Sequence, residues 1–111
     1  MLSRKQQKFP IRYFSRPVMH EETDQVTVWI PALLRDLTQG EEILRVSGST
    51  VREIIQALDQ RFPGINDRLC TPLGLRPGIA VAVNTQIATL GLLQPVPPGS
   101  EVHFLPAVSG G

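Results

Sequence analysis

Few residues in this chain of 111 are equipped for chemistry, and they are widely separated. Cys70 is the lone thiol. Its Leu69-Cys70-Thr71-Pro72 setting puts no histidine near it in sequence, and nothing there would lower a thiol pKa. A small packing residue is the expected role, since free cysteine is among the most buried types. Cys70→Ser is therefore expected to leave any sulfur chemistry intact. The histidines, His20 and His103, are too few for a metal site unless carboxylates join them. Glu21-Glu22 and Glu41-Glu42 are sequence neighbours that read as solvated, and no acid–base pair suited to a hydrolase is evident. No catalytic centre is expected within the chain. What remains is the α-carboxylate of Gly111. Gly110 and Gly111 lack Cβ atoms and follow Val108 and Ser109, so this end can enter a narrow channel. A carboxylate presented that way suits another enzyme's active site.

Composition bounds the rest. A hydrophobic content of 41% and a net charge of +1 describe one globular domain with a modest core. A pI near 8.0 without a clustered basic face argues against a nucleic-acid partner. The apolar runs are far shorter than a membrane span, so no membrane association is expected. One cysteine excludes an internal disulfide and fits a reducing cytoplasm.

Residues 1–25 differ from the remainder. Arg4, Lys5, Lys8, Arg12 and Arg16 come before the first acid, Glu21, without helical or strand periodicity. A disordered extension is expected there. A transit peptide is disfavoured by the few serines and by Phe9, Ile11 and Phe14. Initiation at Met19 is a further alternative.

The domain proper is expected over residues 26–111. Val26 to Ile30 alternates at period two, with Val26, Val28 and Ile30 on one face and Thr27 and Trp29 on the other. Pro31 ends that strand, and Thr38-Gln39-Gly40 reads as a polar turn. Ile43 to Val46 reads as a second strand, giving a hairpin. Thr50-Val-Arg-Glu53 is a capping box, with the Glu53 carboxylate expected back on the Thr50 amide. Val51, Ile54, Ile55, Leu58 and Phe62 then form one apolar stripe of a helix stopped by Pro63-Gly64, with Arg52, Glu53, Gln56, Asp59, Gln60 and Arg61 on its wet side. Residues 65–69 read as a short helix and 72–78 as a loop. Ile79 to Val83 reads as a strand, Asn84-Thr85-Gln86 as a turn and Ile87-Ala88 as a short return. Glu101 to Leu105 reads as the last strand. The order predicts an α+β fold, one main helix across a mixed sheet.

If the first and last strands pair, Trp29, His103 and Leu105 share the face away from the core, with Ala82 near them. Tryptophan beside leucine on a surface marks a partner-binding patch. The competing occupant is the chain's own N-terminal segment, through Phe9 or Phe14.

Val26-Thr-Val-Trp-Ile-Pro-Ala-Leu-Leu-Arg35, the capped helix from Thr50, Gly78 to Asn84, and Leu105-Pro-Ala-Val-Ser-Gly-Gly111 together resemble the ubiquitin-like sulfur carrier proteins. These comprise the molybdopterin-synthase small subunit and thiamine sulfur carrier group. The resemblance covers residues 26–111 and implies a β-grasp fold of four to five strands. It further implies that an E1-like adenylating enzyme uses ATP to activate the Gly111 carboxylate, which becomes a thiocarboxylate. Val108, Ser109 and Gly110 would then be the segment that threads into the partner. No permanently bound cofactor and no metal are expected, and the carrier would not itself be an enzyme. Gly111 already ends the chain, so no proteolytic trimming there is expected. The Ile30-to-Arg35 segment and the Pro-Ala-Val-Ser-Gly-Gly end look closest to the carrier of a cysteine-synthase-associated pathway, where sulfur passes to an activated serine. The sulfur-accepting partner would then be a synthase of that type, or the molybdopterin synthase large subunit. A ubiquitin-like protein modifier and a β-grasp interaction module without an activated tail are the alternatives.

Overall fold

A computed structural model of the chain describes residues 25–107. The expected extension over residues 1–25 and the tail from Val108 to Gly111 lie outside the described residues, Gln25 excepted.

The first hairpin forms as the alternation predicts. Strands β1 (Val26–Trp29) and β2 (Ile43–Val46) pair antiparallel, with Trp29 opposite Ile43. Ile30 continues the ladder by one bond, its N–H donating to the Glu42 carbonyl, before Pro31 removes the next donor. The connection contains a 3-10 turn at Ala32–Leu34, which buries Leu34 completely. Thr38, expected in a polar turn, is also fully buried. Its hydroxyl donates to the Glu41 carbonyl at 2.9 Å, which satisfies the buried group.

Helix α1 (Val51–Arg61) buries Val51, Ile54, Ile55 and Leu58. Each large aliphatic side chain so removed from water contributes about 1.5–3 kcal/mol. Thr50 caps it, its hydroxyl accepting from the Glu53 amide at 3.2 Å. The reciprocal half of the box differs from expectation. The Glu53 carboxylate accepts from the Ser49 amide at 2.7 Å, one residue earlier than Thr50. The same segment is held from the other side: Thr50 bridges to Pro95, the Val51 amide donates to the Gln94 carbonyl and the Val96 amide donates to the Ser49 carbonyl. Asp59, expected on the wet side, is only half exposed. Its carboxylate accepts from the Gly64 and Asn66 amides and ties α1 to the short helix α2 (Ile65–Leu69). Arg68 of α2 reaches across to the Leu33 carbonyl and to both oxygens of Asp36. That paired hydrogen bond holds the Asp36 carboxyl below the ordinary carboxylate range.

The stretch expected as a loop over 72–78 contains structure. Strands β3 (Cys70–Thr71) and β4 (Gly74–Leu75) form a small separate antiparallel ladder. Two-residue strands around Pro72 leave too little alternation to be read from sequence. Strand β5 (Ile79–Val83) follows, then β6 (Gln86–Ile87) and, after a 3-10 turn at Gly91–Leu93, β7 (Glu101–Pro106). The sheet order is β2-β1-β7-β5-β6. β7 lies parallel to β1 and antiparallel to β5, so the sheet is mixed, with five strands and one main helix. Val26, Val28, Val81, Val102 and Phe104 face α1 and close the core.

Candidate functional site

The site is built outward from β7, the strand that carries the tail. Pro106 pairs with Ile79, and the Ala107 amide donates to the Gly78 carbonyl at 2.8 Å. Gly78 has φ +90, a backbone region that side chains with a Cβ rarely adopt. The sequence-predicted site residues Val108, Ser109, Gly110 and Gly111 lie beyond this point, outside the described residues. The structure therefore fixes their anchor at Ala107.

The strand registers align one transverse row across all five strands on the face opposite α1. Ile43 stands opposite Trp29, Trp29 opposite His103, His103 opposite Ala82, and Ala82 opposite Ile87. Trp29 and His103 stack with ring centroids 5.4 Å apart and planes 10° from parallel. Trp29 keeps 39% of its surface exposed, Ile43 45% and Ile87 58%. Leu105 lies one step nearer the tail on the same strand as His103, opposite Ala80, and is also open to solvent.

The structure thus brings together Trp29, His103, Ala82 and Leu105. Ala82 differs from the others in being buried, at 5% exposure. It stands between His103 and Ile87 in the row and offers little surface. Ile43 and Ile87 are members that sequence reading missed. Outward alternation against Leu44 and Val46 gave the signal for Ile43. The turn at Asn84-Thr85-Gln86 and the short return after it were read from sequence with the return at Ile87-Ala88; the structure starts it one residue earlier, at Gln86, and its register sets Ile87 opposite Ala82.

The other candidate groups stand apart. Cys70 is half-buried on the α1 side of the sheet. Burial pushes its thiol pKa up, with Arg52 and Arg76 drawing it partly back. A thiol so placed is mostly protonated near neutrality and a weak nucleophile. His20 falls outside the described residues. Among the described residues no group of three or more His, Cys, Asp or Glu side chains could hold a metal ion. No described helix is long and apolar enough to cross a membrane.

Residues 28–111 match the model of the ThiS family. The chain belongs to that family. It is similar to the "Sulfur carrier protein CysO" of Mycobacterium tuberculosis, with 35% identity over 91 residues, covering 78% of this chain and 98% of the relative. Among solved structures it resembles a chain in the Amycolatopsis orientalis BexX/CysO complex at 40% identity and TM-score 0.69, covering 78% and 99% of the two chains. It also resembles SAMP1 from Haloferax volcanii at 27% identity and TM-score 0.62, covering 78% and 99%. The match to the family model begins inside β1 and extends through the tail. The fold is β-grasp, as the five-stranded mixed sheet with its single main helix requires.

Proposed function

We propose that this protein is a sulfur carrier that works through the Gly111 carboxylate. One observation carries the reading. The tail continues from a central strand whose last anchored residue, Ala107, is two positions beyond Leu105 and the apolar row. A partner that grips the row therefore stands where the chain leaves the sheet.

The chemistry follows from the weakness of a carboxylate as an electrophile. In the proposed step a Gly111 oxygen attacks the α-phosphorus of ATP in a partner adenylating enzyme, and pyrophosphate leaves. Sulfide then attacks the acyl carbon and AMP leaves, giving a thiocarboxylate. This thiocarboxylate is the sulfur nucleophile toward a second partner. The similarity to CysO proteins supports a synthase that makes cysteine as that acceptor, with molybdopterin synthase as the runner-up. On this reading the chain carries no catalytic group and holds no cofactor, and its ATP is consumed by the partner. A cytoplasmic setting suits a lone thiol and a sulfide chemistry.

The likeness to SAMP1, a small archaeal modifier protein by its full name, supports a second reading. The activated carboxylate would then join a lysine amine instead of sulfide. Intact mass spectrometry after incubation with ATP, sulfide and the adenylating enzyme separates the two. The carrier reading expects one oxygen exchanged for sulfur at Gly111. Lysine conjugates that survive reduction, with no such exchange, would replace it by the modifier reading.

A further inference from the structure

The described residues expose eight large apolar side chains. Four of them (Trp29, Ile43, Ile87 and Leu105) belong to the row face. Three others, Leu73, Leu90 and Leu93, gather on the opposite side of the molecule around a groove of about 530 Å³. The groove runs between α1, the β3–β4 hairpin and the Gly91–Leu93 turn. Its apolar rim is conspicuous: Leu73 at the hairpin tip is 98% exposed and Leu93 69%. Arg52 lines it from α1, no carboxylate does, and both Arg52 and Arg76 act electrostatically on Cys70 in its wall.

The groove is joined to the point where the tail leaves. Leu75 in its wall is followed by Arg76, Pro77 and then Gly78, whose carbonyl holds Ala107. Arg76 is itself fixed, its amide donating to the Leu69 carbonyl and its Nε to the Asp67 carbonyl. The groove wall at Leu75 and the tail anchor at Gly78 are thus three residues apart in the chain.

We infer that this groove is a second docking surface for the adenylating enzyme, and that it takes an apolar segment bearing acidic side chains. Charge complementarity selects the occupant. The chain's own N-terminal segment brings Arg4, Lys5, Lys8, Arg12 and Arg16 before its first acid, so it would meet the groove's Arg52 with like charge. The adenylating enzyme is favoured over the sulfur acceptor because the carrier and modifier readings both require it. The inference rests on the tail activation set out above.

The test is steady-state adenylation of the full chain, read as pyrophosphate release, with Leu73→Asp and Arg52→Glu separately and together. Both positions are exposed, so thermal unfolding should match the parent protein. The double variant should raise the KM for the carrier about tenfold or more with kcat nearly unchanged, as loss of a recognition contact requires. Rising salt should raise the parent's KM more steeply than that of Arg52→Glu. The enzyme should also slow alkylation of Cys70, the chain's single thiol. An unchanged KM for the double variant overturns the groove while leaving tail activation standing. So does a rise confined to the sulfur acceptor. Faster Cys70 alkylation after deletion of residues 1–18 would assign the groove to the chain's own segment, and a concentration-dependent oligomer lost in Leu73→Asp would assign it to a second copy. Failure of the parent chain to be adenylated by a demonstrably active enzyme overturns tail activation and the groove together.

Discussion

Trp29 and His103 are held by their neighbours in a flat, stacked pair on an open sheet face, and that arrangement has a cost in water that a partner can recover. Stacking fixes the indole plane before any partner arrives, so less side-chain freedom remains to be lost on binding. Trp29→Ala is expected to weaken binding to the adenylating enzyme by about 2 kcal/mol, roughly thirtyfold in Kd. Because the indole lies outside the core, the unfolding temperature should move little. Calorimetric titration beside a thermal melt checks both halves, and a large fall in the melting temperature would make Trp29 a structural residue. At this scale sequence was a good guide where alternation decides direction: Trp29, His103 and Leu105 all face outward as read. It was a poor guide where burial depends on a distant partner. Ser100 is 2% exposed, and its hydroxyl accepts from the Asn84 side-chain amide and donates to the Pro97 carbonyl. No local pattern at Ser100 announces that.

At the level of elements, α1 is seated by a glycine as well as by its cap. A Cβ built on Gly48 would stand 2.9 Å from Ile54 Cδ1, 3.0 Å from the Ile54 amide nitrogen and 3.1 Å from Glu53 Cβ. The amide belongs to the first turn of the helix and cannot swing aside. Gly48→Ala is expected to destabilise the domain by about 1–3 kcal/mol, the usual cost of overpacking. For a domain this small that lowers the melting temperature by roughly 4–8 °C per kcal/mol, which a thermal melt will show. An unchanged melt would mean the helix start adjusts freely. Element identity was largely legible: β1, β2, α1, α2, β5 and β7 lie where periodicity and caps place them. The β3–β4 ladder was not, because two-residue strands carry no period. The β5–β6 turn and its short return were legible, the return one residue late, but the backbone of the turn was not. Asn84 and Thr85 both take positive φ, of 51 and 71, a conformation usually signalled by glycine at the second position. One of the two edges of the sheet, at β2, is partly closed by α1 itself, since Arg61 donates to the Arg45 carbonyl at 3.0 Å. That bond removes one acceptor from an edge that would otherwise invite strand pairing.

For the whole molecule, the sheet separates two exposed apolar surfaces, and Ala107, the last described residue, follows Leu105 of one and is bonded to Gly78, three residues beyond Leu75 of the other. The last described residue, Ala107, is bonded to the sheet, and Gly111 comes four residues later in the chain. Gly111→Ala should leave stability within about 0.5 kcal/mol of the parent, as for other substitutions far from packing. It should reduce adenylation strongly if the tail enters a narrow channel. Equal losses in melting temperature and in adenylation rate would mean that the tail is docked on its own domain. The general plan, one helix over a mixed sheet with an outward Trp29, could be drawn from sequence. The row that spans five strands could not, because it depends on four registers, and only the folded sheet sets them.

The central position of β7 has a consequence for how the protein is made. β1 and β7 are the most distant strands in sequence, yet they lie side by side, and β7 also bridges the two halves of the sheet. Closing so long a loop comes late and is slow compared with local contacts. During synthesis the β1–β2 hairpin and α1 emerge early but have no complete sheet to pack on. A chain interrupted before Phe104 lacks the strand that joins β1 to β5, so it cannot reach the native core. Each molecule that does fold has therefore been translated through the last strand of its sheet. Products that stop before Phe104 are left unfolded and open to proteolysis.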